Sequence, residues 1–177
     1  EALLNDYLLK TIDDEQKRIY LLNHYLEGFR GTVFRQTMFA EFEHLIHQKA
    51  QNNEALTADS LTEAYYALNK KYFGEEDIVI DEEIGLEWAR IPHFYYNYYV
   101  YQYATGFSAA TALSKQILEE GEPAVKRYIE EFLSAGSSDY PIEVLKKAGV
   151  DMTSAAPIAD ACKVFEEKLN ELEKLLS

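Results

Sequence analysis

The sequence predicts an all-α fold, and three observations point to it. Apolar residues recur at helical spacing between residues 14 and 51, among them Ile19, Leu22 and Leu26. A second amphipathic pattern covers residues 157–176. The β-branched run at residues 78–80 is too short to build a sheet and indicates an extended connector. We therefore predict one bundle-like domain of several helices over residues 1–177.

Each predicted helix begins or ends at a local signal. The acidic residues 13–15 complement the dipole at the start of a long helix, which ends at Asn52 and Asn53. The segment that begins at Thr57 opens the next helix, and Gly74 ends it. The predicted helices cover residues 2–9, 14–51, 57–73, a short stretch bearing Trp88 and ending at Pro92, residues 94–120, 122–133, 141–148 and 157–176.

The composition excludes two classes of partner. The chain has 31 acidic and 17 basic residues, and its formal net charge is −14. Nucleic-acid backbones and anionic lipid surfaces both require a basic surface, so we expect neither partner. No apolar run reaches the roughly 18 residues of a membrane span. Cys162 is the single cysteine, which fits a reducing cytoplasm, and its position in an apolar helical pattern predicts a core residue.

Residues 91–103 contain six tyrosines, more phenols than a core requires. A buried tyrosine must find a partner for its hydroxyl, so this segment is predicted to face something polar, such as a cleft or a ligand. A helix from about Phe94 would align Tyr98 with Tyr101 on one edge, with His93 near its start. The stripe along this helix would consist of Tyr95, Tyr98, Gln102 and Thr105.

Glu41, His44 and His47 could form a metal site or could have a purely structural role. Glu41 and His44 have the Glu-x-x-His spacing of carboxylate-bridged di-iron bundles, but those bundles need a second such motif. His44 and His47 together give only two ligands for a single metal ion. The preferred interpretation is that these residues line a polar helix surface, and we predict no metal site in this chain.

Five stretches of the sequence resemble the oligoendopeptidase F group of the thimet oligopeptidase family of zinc metallopeptidases. The resemblance covers essentially the whole chain in order. The stretches are Arg-Ile-Pro-His-Phe-Tyr-Tyr at residues 90–96, Tyr-Tyr-Val-Tyr at 98–101, Tyr-Leu-Glu-Gly-Phe-Arg at 25–30, Phe-Arg-Gln-Thr-Met-Phe-Ala-Glu-Phe-Glu at 34–43 and Ser-Ser-Asp-Tyr-Pro at 137–141.

The resemblance implies a helical, C-terminal part of a zinc oligopeptidase that hydrolyses internal bonds of short peptides. The His-Glu-x-x-His zinc motif of the family is absent, and so is its third ligand, a glutamate. We therefore expect the chain to begin just after the metal ligands, to bind no zinc alone and to be inactive by itself. Its expected partners are short peptides and either the missing N-terminal part or a second copy of the chain.

The resemblance also implies roles for individual residues. Tyr101 would donate a hydrogen bond to the oxyanion formed from the attacked carbonyl, with Tyr98 close by. His93 would hydrogen-bond the substrate or the transition state. Possible substrate subsites come from Arg90, Tyr95 and Tyr96.

Two alternatives remain open at this stage. The chain could be a non-catalytic helical module that binds peptides or a partner protein through the tyrosine segment. It could also be a helical bundle with its own metal at Glu41 and His44. A His-Glu-x-x-His motif upstream of this sequence would decide in favour of the peptidase.

Overall fold

The computed structural model describes residues 1–74, 76 and 78–177, and within them all regular structure is helical, without a β-strand. The all-α prediction is thus confirmed. The α-helices of the described residues are α1 (Ala2–Thr11), α2 (Glu15–Phe29), α3 (Arg35–Gln51), α4 (Ala58–Phe73), α5 (Tyr101–Glu120), α6 (Glu122–Arg127), α7 (Pro141–Lys147) and α8 (Ala156–Leu176). Short 3₁₀-helices cover Glu82–Arg90 and Pro92–Tyr95, and π-helical turns cover Arg30–Phe34 and Tyr128–Leu133.

The long helix predicted for residues 14–51 consists of α2, the π-helical turn and α3, which follow one another without a break. The Asp14 side chain accepts a hydrogen bond of 2.9 Å from the Lys17 N–H and caps the start. Thr57 and Ser60 form a reciprocal capping box at the start of α4. Gly74 ends α4 with a φ of +76°, which glycine adopts without steric cost. Local signals therefore placed these boundaries correctly.

Contacts between Cα atoms divide the chain into two compact units. The first unit consists of Glu1–Arg30 and Thr105–Ser177. Its apolar centre includes Leu22, which is fully buried, and Phe29, whose ring packs on Phe107 and Phe165. The guanidinium of Arg18 joins α2 to α8 through a hydrogen bond of 2.9 Å from its Nε to Glu171.

The second unit is Gly31–Ala104, and its core lies between α3, α4 and the 3₁₀-helices. Phe42 packs edge-on against Tyr65 with ring centroids 5.2 Å apart, and Phe94 packs on both Phe39 and Phe42. Aromatic packing of this kind fixes the 3₁₀-helix Pro92–Tyr95 against α3. The buried residues of this core are Met38, Phe39, Phe42, Tyr65, Leu68, Ile91 and Val100.

The position of Cys162 and the number of domains were also predicted from the sequence. Cys162 is exposed on α8, so its predicted core position is wrong; the apolar face of the helix at this point is formed by the adjacent, buried Ala161. The prediction of one domain over residues 1–177 stays a prediction, since two compact units do not show whether each folds alone. Over the described part of the chain, no helix combines the length and the apolar character needed to cross a bilayer.

Candidate functional site

The tyrosine segment does not form the predicted helix from Phe94. A 3₁₀-helix covers Pro92–Tyr95, and α5 begins only at Tyr101. Between them the backbone bends at Asn97 and Tyr98, whose φ angles are +44° and +59°. These left-handed conformations interrupt a helix and are unusual for a bulky residue. The predicted stripe of Tyr95, Tyr98, Gln102 and Thr105 on one helix face is therefore wrong.

The six tyrosines nevertheless lie at the surface of the second unit. Their exposed fractions run from 39% for Tyr98 to 82% for Tyr95. Phenols buried for packing alone would be shielded from solvent, whereas these six rings are partly exposed. The other exposed members are Tyr96, Tyr99, Tyr101 and Tyr103.

His93 packs with two of these tyrosines. Its ring lies parallel to that of Tyr99 at a centroid distance of 6.3 Å and edge-on to Tyr103 at 5.5 Å. The Tyr99 hydroxyl donates a hydrogen bond of 3.3 Å to the Tyr103 hydroxyl. Nδ1 of His93 is buried and has no hydrogen-bond partner among the described residues. Tyr99 and Tyr103, for which the sequence predicted no site role, are thus direct neighbours of His93.

Tyr98 is contacted by two residues of α3. Its backbone N–H donates a hydrogen bond of 2.6 Å to Oε1 of Glu43, whose side chain is buried. Its ring stacks on His47 at a centroid distance of 4.5 Å and an interplanar angle of 29°. Neither contact was predicted: Glu43 was not a candidate site residue, and His47 was expected to line a polar helix surface. No local pattern links either residue to a tyrosine about fifty positions away.

Arg90 belongs to a charged cluster around the buried carboxylate of Glu87. Oε1 of Glu87 accepts hydrogen bonds from Arg90 and, at 2.6 Å, from Arg35. Its Oε2 accepts the hydroxyl of Tyr65 at 2.7 Å. Burial alone would raise the pKa of Glu87, but the hydrogen bonds from Tyr65 and Arg35 and the two positive charges lower it below its ordinary value. The Arg90 side chain itself remains largely exposed.

The carboxylate of Glu41 is bonded to two residues of α4. Its carboxylate accepts hydrogen bonds from Lys71 at 2.5 Å and from the Tyr72 hydroxyl at 2.8 Å. The Lys71 contact, more than the one from Tyr72, lowers the pKa of Glu41 although burial raises it. Residues 1–74, 76 and 78–177 contain no group of three or more His, Cys, Asp or Glu side chains placed to hold a metal ion. The described residues therefore do not fit a metal ion.

Comparison with known proteins decides the family. Residues 1–164 match the model of peptidase family M3. The chain belongs to this family. The resemblance to the oligoendopeptidase F group is therefore confirmed, and it extends to the folded structure as well as to the motifs.

The relatives of this M3 chain are longer than the chain itself. It is 74% identical over 176 residues to the oligopeptidase PepF of Bacillus subtilis strain 168, covering 99% of this chain and 26% of that protein. Group B oligopeptidase PepB of Streptococcus agalactiae is 53% identical to this chain, and the match covers 100% of this chain and 29% of that protein. The crystal structure of oligoendopeptidase-F from Enterococcus faecium superposes with a TM-score of 0.93 at 57% identity. The match covers 98% of this chain and 33% of that one. The chain spans about a quarter to a third of the length of these relatives.

Proposed function

We propose that the chain works as part of a longer M3 peptidase that hydrolyses internal bonds of short peptides, and that its tyrosine segment forms one wall of the peptide site. The observation that carries the proposal is the exposure of six phenols and the partly buried His93 on one short segment of an M3 chain. An ordinary core does not leave so many aromatic side chains at the surface in one stretch. The relatives' names, oligopeptidase and oligoendopeptidase, support short peptides as substrates.

In this proposal the Tyr101 hydroxyl donates a hydrogen bond to the carbonyl oxygen of the substrate. That oxygen becomes negatively charged when the peptide bond is attacked. A donor aimed at charge that develops in the transition state accelerates the reaction more than it strengthens substrate binding. Tyr101 is about half exposed at the first turn of α5, which supports its contact with a bound peptide. His93 contributes a hydrogen bond to the substrate or the transition state.

Tyr95, Tyr96, Tyr98 and Arg90 complete the proposed wall by binding the peptide. The three phenols can both donate and accept hydrogen bonds with a peptide backbone. The Arg90 guanidinium keeps donors free for an acceptor in addition to its contact with Glu87, because one of its nitrogens makes that contact and its side chain is largely exposed. In this proposal these four residues bind the peptide, whereas Tyr101 stabilises the transition state.

The zinc that the family resemblance implies is assigned to the part of the longer peptidase outside this chain. An apolar cavity of about 650 Å³ in the first unit supports a further protein contact, because its lining includes Leu113, Phe132 and Val144. The rest of the peptidase or a second copy of the chain is the proposed partner at this surface. Sedimentation velocity tests this point: we expect the chain alone to self-associate, and we expect Leu133→Glu, at an exposed residue of the cavity lining, to restore a monomer.

The experiment that tests the proposed function is a chimaera in which these 177 residues replace the matching segment of the B. subtilis oligopeptidase. An internally quenched peptide of about eight residues, short as the relatives' names suggest, reports internal cleavage. We expect the chimaera to cleave it, and we expect the 177-residue chain alone not to. A chimaera that folds and binds the peptide without cleaving it would instead support the alternative, a non-catalytic peptide-binding module.

A further inference from the structure

Tyr98 is held at its backbone and at its ring by one helix. Glu43 and His47 lie four residues apart on α3, so their side chains are on the same face of that helix. Glu43 accepts the Tyr98 N–H at 2.6 Å, and His47 stacks on the Tyr98 ring with centroids 4.5 Å apart. The two contacts fix different parts of the same residue, which a chance surface contact would not do.

The conformation that these contacts hold is a strained one. Tyr98 and its neighbour Asn97 both have positive φ angles. Asparagine tolerates this region because its short side chain can bond locally, but tyrosine does not, and such conformations persist only where the surroundings determine them. Some interaction in the folded chain must therefore hold these two positive φ angles.

Glu43 supplies that interaction. Its side chain is 1% exposed, so its carboxylate oxygens have almost no access to water. A buried carboxylate without donors is strongly unfavourable, whereas a hydrogen bond to it is stronger than one between neutral groups. In the folded chain the Tyr98 N–H donates to Oε1 of Glu43 while Asn97 and Tyr98 hold positive φ angles. The hydrogen bond to Glu43 and the left-handed turn therefore occur together.

We infer that Glu43 and His47 are positioning residues that hold Tyr98 in its left-handed turn and thereby place its phenol in the peptide site. This inference rests on the proposed function for its kinetic consequence only. The placement of Tyr98 itself is a property of the folded chain. Neither Glu43 nor His47 contacts the substrate in this account; both act through Tyr98.

The first test measures the placement in the 177-residue chain. Hydrogen exchange at the Tyr98 amide is slow in the wild-type chain because the N–H is bonded to a buried acceptor. Glu43→Ala accelerates this exchange at least about tenfold, the change expected when a bond to a charged group is lost. Glu43→Gln retains an acceptor oxygen and restores most of the protection. Unchanged exchange in Glu43→Ala, or in Glu43→Leu if the alanine variant does not fold, overturns the inference.

The second test uses the chimaera and separates binding from turnover. His47→Ala raises KM for the quenched peptide by about threefold to tenfold, as loss of an aromatic contact predicts, and leaves kcat nearly unchanged. His47→Phe keeps a ring beneath Tyr98 and stays near wild type. The matched control is His44→Ala, an exposed histidine one turn before it on α3.

A double-mutant cycle makes the test specific to Tyr98. If His47 acts through the tyrosine, His47→Ala has no further effect on KM once Tyr98→Ala is present. Additive effects of the two changes overturn the inference. If Tyr98→Ala leaves KM unchanged while the Tyr98 amide still responds to Glu43, the positioning stands and the peptide-binding role proposed for Tyr98 fails. The two proposals are therefore distinguished by different readouts.

Discussion

The Tyr65 hydroxyl donates a hydrogen bond of 2.7 Å to Oε2 of Glu87, and both residues are buried. This contact ties α4 to the 3₁₀-helix Glu82–Arg90, which leads directly into the tyrosine segment. The opposite oxygen of the same carboxylate holds Arg35 of α3 and Arg90. Glu87 thus links three elements of the second unit immediately before the proposed site begins.

Tyr65→Phe tests this link. Phenylalanine fills the same space in the core, but Oε2 of Glu87 loses its donor in a place that water does not reach. We expect the free energy of unfolding to fall by about 1.5–3 kcal/mol, the usual contribution of a hydrogen bond to a charged group. Urea denaturation of the two proteins measures the difference.

The matched control for that change is Tyr66→Phe on the same helix. The Tyr66 hydroxyl donates to the neutral carbonyl of Ile80 at 3.1 Å and is only partly buried. Its loss should cost about 0.5–1.5 kcal/mol. Equal costs for the two variants would show that Glu87 gains nothing particular from Tyr65.

The lowered pKa of Glu87 predicts acid sensitivity with a definite sign. Burial opposes the shift, but the hydrogen bonds from Tyr65 and Arg35 and the charges of the two arginines hold the folded pKa below the ordinary value of 4.5. The unfolded chain therefore binds this proton more readily than the folded chain. The stabilisation is complete above about pH 4.5 and is lost as the pH falls through the lower folded pKa.

Glu87→Gln should accordingly destabilise the protein at neutral pH and flatten the decline of stability in acid. Thermal unfolding between pH 7 and pH 3 measures both effects. Glu54→Gln is the comparison, because the pKa of Glu54 is also lowered, by a hydrogen bond from Lys49, but the pair is exposed and screened by solvent. An acid profile of Glu87→Gln that parallels wild type would remove Glu87 as a source of the pH dependence.

Gly85 permits the close approach of its 3₁₀-helix to α4. A Cβ atom at this position would lie 2.9 Å from Cγ2 and 3.0 Å from the carbonyl oxygen of Thr62. Gly85→Ala should therefore destabilise the protein by about 1–3 kcal/mol, as overpacking does. Gly28→Ala on α2 is the control, since a Cβ there meets nothing within 4 Å, and it should stabilise by up to about 1 kcal/mol. Calorimetric melting of both variants gives the comparison, and opposite shifts in Tm are the expected result.

The sequence was informative where structure is determined locally. Asp14, Thr57 and Gly74 mark helix boundaries because capping bonds and positive φ involve neighbouring residues, and these boundaries were predicted correctly. The start of α5 was not, because the left-handed turn before it contacts Glu43, which is distant in sequence from Tyr98. No periodicity reveals that a buried carboxylate accepts a bond from a particular backbone N–H far along the chain.

The candidate site, too, was predictable from the sequence only in part. An excess of tyrosines is visible in the sequence, and so is their resemblance to a family motif, so the segment could be selected. Which rings pack together was not predictable, because Tyr99 and Tyr103 lie on His93 across a left-handed turn at Tyr98 that no local pattern indicated.

The central claim is that the Tyr101 hydroxyl stabilises the transition state, and Tyr101→Phe in the chimaera tests it most directly. The ring is retained, so folding changes little. Tyr20→Phe is the control, because Tyr20 is an exposed tyrosine on α2 outside the proposed site. Steady-state cleavage of the quenched peptide should show kcat reduced by about 10²–10³ with KM nearly unchanged, and Tyr20→Phe near wild type. A kcat near wild type for Tyr101→Phe, with or without a raised KM, would contradict the claim.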